Sequence, residues 1–296
     1  MDAAPSTDLT GKVIVVTGAT GGIGKEIARG LFRRGATVII GGRDPERNSA
    51  VSMELSNMPE NRVRDGYEVH AFQVDVAHQA SLHAFRAAVQ ERFDAIDGLV
   101  NNAGAWFTDR RESPDGVELT LATNVLGPHK LSELLTPLLQ AGARARGEAR
   151  VVNIVSGIAG NYEADDLQFT RRPYDGYRAY AQSKAALRML TWGLAARLEG
   201  TAVTANAAAP GFVRTDFNRN AHGFRAGMIN FMARLMAVPP EKGAATPLWV
   251  TTAPELAGAT GKYFDGLKEK DGGFSDRAAI ADLERRCVEL ERARTA

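Results

Sequence analysis

"VIVVTGATGGIGKEIARGLF", residues 13–32, sets a Val/Ile-rich run, a glycine cluster and a helical period one after another. The apolar run reads as a buried strand and the segment after it as an amphipathic helix. Gly18 permits the tight turn between them, Gly22 permits close approach of a pyrophosphate, and Gly24 lets the helix pack on the sheet. The helix amino terminus, with Ile23 in its first turn, then meets negative charge. An isolated glycine triplet is weak evidence; one that directly follows a first strand weighs more.

Similar apolar runs recur along the chain: "ATVIIGG", "EVHAFQVDV", "IDGLVNNAG", "ARVVNIVSG", "TAVTANAAAPG" and a short "GKYFDG". They do not alternate apolar with polar, so both faces of their sheet are buried, and helical segments lie between them. The pattern predicts an α/β, doubly wound Rossmann fold, with a central, mostly parallel seven-stranded sheet and helices on both faces, formed by a single domain over residues 1–296. Helices are expected from Gly22 to Arg34, from Asp44 and Pro45 as cap and first turn, from Ser81 to Phe93, and over 116–141, 177–199 and 239–252. Pro128 should kink the helix at 116–141 or force local repair. Segments 105–116, 157–175 and 211–238 follow strand ends, where ligands bind in open α/β sheets, with insertions at about 157–175 and 211–238. The tail has a stripe of Ile280, Leu283, Cys287 or Val288, and Leu290, which suits a surface helix.

Thirty-six basic and 35 acidic residues leave a net charge of +1 over 296 residues, which argues against nucleic acid or an acidic membrane surface as partner. A small molecule is the expected partner. The single cysteine, Cys287, excludes an internal disulfide, fits a reducing compartment, and reads as an apolar helix residue. No run of about 18 apolar residues and no signal-like amino terminus occur, so a cytoplasmic protein without a membrane span is expected. His70, His78, His83, His129 and His222 show no Cys or carboxylate ligand spacing, and no metal is invoked.

The glycine turn reads Thr-Gly-x-x-x-Gly-x-Gly and resembles that of the short-chain dehydrogenase/reductase family. Further positions match independently: "NNAG" at 101–104, Asn124, Ser156, the Tyr-x-x-x-Lys pair of Tyr180 and Lys184, and Pro210-Gly211. The resemblance covers residues from about Thr10 to Phe264. "DDLQF", "AYAQSK" and the stretches around Pro210 and Tyr263 resemble the retinol dehydrogenase and WW-domain oxidoreductase branch. It implies an oxidoreductase that uses a nicotinamide dinucleotide held by Gly18, Thr20, Gly22, Ile23, Gly24, Asp75, Val76, Asn102, Ala103, Gly104, Pro210, Gly211, Val213 and Thr215, with Tyr180 and Lys184. Family members commonly pair through the helices at 116–141 and 177–199, which implies a homodimer or homotetramer unless the carboxy-terminal helix interferes.

At the end of the second strand stands "GGRDPER", with Gly42 where an NAD-selective member has Asp, and then Arg43. A guanidinium suits a 2′-phosphate, to which the Thr20 hydroxyl adds a contact, so NADP(H) is favoured over NAD(H). The rival reading is a solvated Arg43. Asp75 resembles the family position that contacts the adenine amino group; alternatively it caps the following helix.

Carbonyl reduction needs a hydride and a proton. An unperturbed tyrosine is a poor base near neutral pH; a nearby ammonium should favour its phenolate and, with the positive nicotinamide of the oxidised cofactor, lower its pKa. Four residues apart on a helix, Tyr180 and Lys184 are within reach of each other, whereas Tyr177 is two turns from Lys184 and Tyr174 precedes the helix. Tyr180 is therefore the expected general acid/base, and Tyr174 and Tyr177 are expected as packing or pocket walls. Ser156 would donate to the substrate oxygen. By resemblance, Lys184 also holds the nicotinamide ribose, and Asn124 ties Lys184 through water to a proton relay.

The lid candidate over 212–236 holds Phe212, Phe217, Phe224, Met228, Ile229, Phe231, Met232, Leu235 and Met236, a stripe that suits a core or an adaptable apolar cavity. A bulky, largely apolar carbonyl or alcohol is expected as substrate, with Arg171, Arg172 and Arg214 at the rim or in solvent. Two alternatives remain open: an NADP(H)-binding sensor or scaffold without turnover, and an epimerase, dehydratase or double-bond reductase on the same fold.

Overall fold

The computed structural model describes residues 7–58, 68–160, 162–213 and 238–292. Strands β1 (Val13–Thr17), β2 (Thr37–Gly42), β3 (Val69–Gln73), β4 (Gly98–Asn101), β5 (Ala149–Ile154), β6 (Val203–Ala209) and β7 (Tyr263–Asp265) pair in parallel. The order across the sheet is β3-β2-β1-β4-β5-β6-β7-β8. The last strand, β8 (Glu269–Lys270), runs antiparallel to β7 and was not expected from the sequence. Two exposed charged residues leave no apolar signature, which is why seven strands were expected and the sheet has eight among the described residues.

Helix α1 (Gly22–Phe32) follows β1, α2 (Pro45–Ser56) follows β2 and α3 (Gln79–Arg92) follows β3. Asp44 caps α2 by accepting from the amides of Glu46 and Arg47. Alternate residues of one strand enter different cores: Val15 packs with Leu99, Val151, Leu131 and Leu135, while Ile14 and Val16 pack with Ile27, Leu31, Val100 and Val152. Both faces of the sheet are therefore covered, as the uninterrupted apolar strands required.

The helix expected over 116–141 is in three parts: a turn α4 (Leu119–Leu121), a π-helical segment Ala122–Leu126, and α5 (Gly127–Arg146). Pro128 has no N–H for the carbonyl of residue 124, and the wider π turn places it in the first turn of α5, where none is needed. Helix α6 (Gly176–Arg197) is capped by Asp175, whose carboxylate accepts from the amides of Tyr177 and Arg178. After β6 come a turn at Pro240–Gly243 and α7 (Ala245–Thr252). The tail forms α8 (Arg277–Arg292), which buries Ile280, Leu283 and Cys287 together with Glu291. Among the described residues, no helix is long and apolar enough to cross a membrane.

Candidate active site

The sheet order reverses between β1 and β4, which leaves a crevice at their carboxyl ends. Three loops meet there. In the glycine turn, Gly18 and Gly22 have φ of 66° and 52°, a region that penalises a side chain. A Cβ on Gly18 would stand 2.9 Å from the Ala103 Cα, and one on Gly24 would collide with the Asn102 amide and the Gly18 carbonyl. The Asn102 side chain occupies that space, donating to the carbonyls of Thr17 (2.9 Å) and Gly18 (3.2 Å). Thr17 Oγ1 in turn accepts from the amides of Asn102 and Ala103, both at 3.1 Å. The "NNAG" loop and the glycine turn are thus one bonded unit. Gly21 precedes α1 without a capping side chain, and the first turn of α1 carries no acid. That chemistry, with the glycine cradle, fits a dinucleotide pyrophosphate.

The carboxyl end of β2 is built around Asn48. Its Nδ2 donates to the carbonyls of Gly42 (2.9 Å) and Phe72 (3.1 Å), while its buried Oδ1 has no hydrogen-bond partner. A Cβ on Gly42 would collide with that oxygen and come within 2.8 Å of the Thr20 methyl. Arg43 is exposed at the mouth of β2. Asp75 lies two residues beyond β3 and does not cap α3; its Oδ1 accepts from the Ala77 amide at 3.0 Å. Val76 is buried, and Gly127 at the start of α5 packs so closely on its carbonyl that a Cβ there would collide. On the far side, Pro210 and Gly211 follow β6, and Val213 bridges to Val238. Thr215, Arg214, His222 and the lid positions beyond Phe212 lie outside the described residues.

Asn124, Ser156, Tyr180 and Lys184 come together next to Gly104. The π segment turns the Asn124 amide toward the loop after β4, where Oδ1 accepts from the Ala105 amide (2.8 Å) and Nδ2 donates to the Ala105 carbonyl (2.9 Å) and Ser183 Oγ (2.9 Å). A Cβ on Gly104 would stand 3.4 Å from Asn124 Oδ1 and 3.6 Å from Lys184 Nζ, so this glycine keeps the space between them open. Ser156, two residues past β5, hydrogen-bonds the Tyr180 side chain and accepts from the Ile158 amide at 3.1 Å. Lys184 Nζ lies 5.7 Å from the Tyr180 ring centroid and donates to the Ile154 carbonyl at 2.9 Å.

Burial pushes the Tyr180 phenol up to about 12, against a lowering from the Ser156 bond. It also pushes the Lys184 ammonium down to about 8. In the protein by itself, desolvation of the phenol outweighs the Ser156 hydrogen bond. Tyr180 is therefore neutral and keeps its phenolic proton at neutral pH.

The inserted segment 157–175 is fixed by its own polar network. Arg172 is mostly buried, lies 3.9 Å over the Phe169 ring, pairs with Glu163 and with Asp166 at 3.3 Å, and donates to Gln182 at 2.8 Å. It is not a solvated arginine, which corrects that alternative; Arg171 is exposed. Tyr174 donates to Glu118 at 3.0 Å, and Glu118 caps α4 through the amides of Thr120 and Leu121. Tyr174 thereby links the insertion to the helix that carries Asn124. Tyr177 is 42% exposed, one turn before Tyr180 in α6. The sequence spacing around the histidines pointed to no carboxylate ligand group, yet the fold gathers two carboxylates around His129. His129 meets Glu291 (3.1 Å) and Glu133 (3.6 Å), and Lys130 shares Glu291 at 3.1 Å, an ion-pair cluster that fastens α8 to α5.

A family model for short chain dehydrogenase matches residues 12–225. The chain is a short-chain dehydrogenase/reductase. This dehydrogenase is 36% identical over 275 residues to Retinol dehydrogenase 13 of Homo sapiens, covering 90% of this chain and 80% of that one. It is 38% identical over 259 residues to Polyprenol dehydrogenase of Mus musculus, covering 86% and 75%. Among solved structures, the RhlG/NADP active-site complex of Pseudomonas aeruginosa is similar at a TM-score of 0.67 and 30% identity, covering 92% of this dehydrogenase and 99% of that chain. It thus sits with the retinol dehydrogenase-like members of an oxidoreductase family that binds nicotinamide dinucleotides.

Sequence reasoning did not single out Asn48, Glu118, Gln182 or Arg188. Arg188 left a signal, a lone charge one turn after Lys184 in the apolar run "KAALRML". Asn48 left none, because its role depends on the gap at Gly42.

Proposed function

We propose that this protein is an NADP(H)-dependent oxidoreductase acting on a carbonyl or alcohol carbon of a bulky, largely apolar substrate, with Tyr180 as general acid/base. The observation that carries it is the convergence of Ser156, Tyr180, Lys184 and Asn124 on the space beside Gly104, next to the glycine cradle. A bound reduced nicotinamide supplies the hydride. Tyr180, protonated at neutral pH, gives its proton to the substrate oxygen as negative charge develops there. Ser156 orients that oxygen by a hydrogen bond. Lys184 offers its ammonium to the nicotinamide ribose, and Asn124 fixes the loop after β4 through both backbone groups of Ala105.

Preference for NADP(H) is supported by three features at the β2 mouth: no acid at Gly42, an exposed Arg43, and Asn48 filling the space an acidic side chain at 42 would need. The NADP complex of a 30% identical structure points the same way. An apolar substrate is supported by Ile158, Tyr177 and Phe212, large apolar side chains left exposed on segments that border the candidate site. Retinol and polyprenol, in the names of two relatives, are apolar alcohols. The test is steady-state turnover of NADPH and NADH with a carbonyl panel graded by size and polarity, on wild type and Arg43→Ala. The proposal expects large apolar carbonyls to be preferred, and Arg43→Ala to raise KM for NADPH at least tenfold with KM for NADH little changed. Equal effects on both cofactors, or faster turnover of small polar carbonyls, would contradict it.

A further inference from the structure

Ser156 lies beyond the sheet. The last backbone bond that ties its strand to β6 is from the Val155 amide to the Ala208 carbonyl, at 3.0 Å. The Ser156 carbonyl is held instead from α6, where Arg188 NH2 donates to it at 2.5 Å. Arg188 stands one turn after Lys184 and two after Tyr180, and is 6% exposed. Its NH1 donates in the opposite direction, to the Gly272 carbonyl at 2.9 Å. The guanidinium carbon lies 4.2 Å from the Tyr263 ring centroid and 6.0 Å from that of Phe274.

Among the described residues, no carboxylate is within ion-pair distance of this buried cation; Asp265 acts on it only from further away. Burying a cation without a contacting counter-ion is costly, and a neutral side chain would fill the space at lower cost. What the guanidinium provides is a rigid fork with donors on two sides. One side fixes the peptide of Ser156 and the other grips the strand-to-helix segment that precedes α8. One turn further on, Trp192 Nε1 donates to the next carbonyl, Gly273, at 3.0 Å, so α6 holds this strap at two successive residues.

We propose that Arg188 is a positioning residue for Ser156, and that the carboxy-terminal strap at Asp271–Phe274 completes the candidate active site by holding Arg188 in place. The proposal rests on the assignment of Ser156 and Tyr180 to proton transfer. The rings of Tyr263 and Phe274 and the Gly272 carbonyl restrict the guanidinium to one orientation. The Ser156 hydroxyl then keeps its bonds to Tyr180 and to the Ile158 amide. Displacement of a reacting group by about 1 Å costs on the order of a hundredfold in rate, so a modest backbone shift at Ser156 is enough to matter.

The experiment compares Arg188→Met, Arg188→Lys and Trp192→Phe in the full chain. NADPH affinity is followed by fluorescence, kcat and KM with an apolar carbonyl, and backbone exchange over 155–160 by hydrogen–deuterium mass spectrometry. Arg188→Met is expected to lower kcat about 10- to 100-fold, with the dissociation constant for NADPH within about threefold and exchange at Ile158 accelerated about tenfold. Arg188→Lys, which keeps the charge and reaches one carbonyl, should fall between, and it replaces Arg188→Met should that variant not fold. Trp192→Phe loosens the strap without removing a bond to Ser156 or Arg188, and should lower kcat and accelerate exchange at 155–160 in the same direction as Arg188→Met but by less. The proposal is overturned if the Arg188 variants lose thermal stability while kcat and exchange at Ile158 stay at wild-type values, and its strap half is overturned if Trp192→Phe leaves both at wild-type values. Absence of turnover in the wild type would refute the proposed function instead, and exchange at Ile158 would still decide the role of Arg188.

Discussion

Replacing Lys184 with Met should stabilise the cofactor-free protein while it abolishes turnover. Burial moves the ammonium from its ordinary 10.5 to about 8. At about 1.4 kcal/mol per unit, holding the charge inside costs on the order of 3 kcal/mol wherever the amine is charged in both the folded and the unfolded chain. The penalty is fully present below pH 8. It is relieved as pH rises through 8, because the folded chain releases its proton first, and it is gone above 10.5, where both states are neutral. Met fills similar volume but leaves the Ile154 carbonyl without its donor, at about 1–2 kcal/mol. The net gain near neutral pH is therefore roughly 1–2 kcal/mol, a rise of several degrees in Tm for a chain of this size. The assay is urea unfolding at steps between about pH 7 and 10, with the midpoint and slope fitted at each. Tyr180 acts in the opposite sense only above its unfolded value of 10, where its raised pKa favours the folded state less and less as pH climbs toward 12, so the window stays below it. Wild type should gain on the order of 2–3 kcal/mol relative to the variant across this range. Parallel stability curves for the two proteins would refute the buried, depressed amine.

Gly24→Ala places a methyl group on the Asn102 amide and the Gly18 carbonyl, and should cost about 2–4 kcal/mol through overpacking and the loss of the two Asn102 bonds, seen as a lower Tm and weaker NADPH binding. Gly42→Asp by itself should weaken NADPH binding without gaining NADH, since Asn48 occupies the space; the double variant Gly42→Asp/Asn48→Ala should bind NADH more tightly than the single one, read by titration of each cofactor. Tyr177→Phe should change the preference among carbonyl substrates by about threefold or more and leave NADPH affinity alone, as expected of an exposed wall that does not meet the cofactor cradle. Tyr174→Phe should lower stability by about 1–2 kcal/mol, because the buried Glu118 carboxylate loses an O–H donor, with chemical denaturation as the readout.

Most of the sheet was legible because its strands are uniformly apolar and its first turn needs glycine at fixed places. β8 was not, since two exposed charged residues pair only by virtue of where β7 ends. Pro128 announced an irregularity in the helix after β4. The sequence did not say that a π segment would absorb it while turning Asn124 onto Ala105. Of the candidate site, Tyr180 and Lys184 were readable from spacing along one helix. The direction of the Tyr180 shift was not, because desolvation depends on what the whole fold lays over the phenol. Arg172 and Tyr174 were misjudged or left open for a similar reason. Their partners, Asp166, Gln182 and Glu118, are bonded across loops whose course no local pattern encodes. Arg188 donates to the Ser156 carbonyl from 32 positions away, and its other partner is a strap that the sequence shows only as "DGGF".

The measurement that bears most directly on the proposed chemistry is Tyr180→Phe, assayed for NADPH binding by fluorescence and for turnover of an apolar carbonyl in the same preparation. Loss of the phenolic proton should lower kcat by about 10³-fold or more while NADPH still binds with wild-type affinity. Retention of turnover within tenfold of wild type would contradict the assignment of Tyr180 as the proton donor.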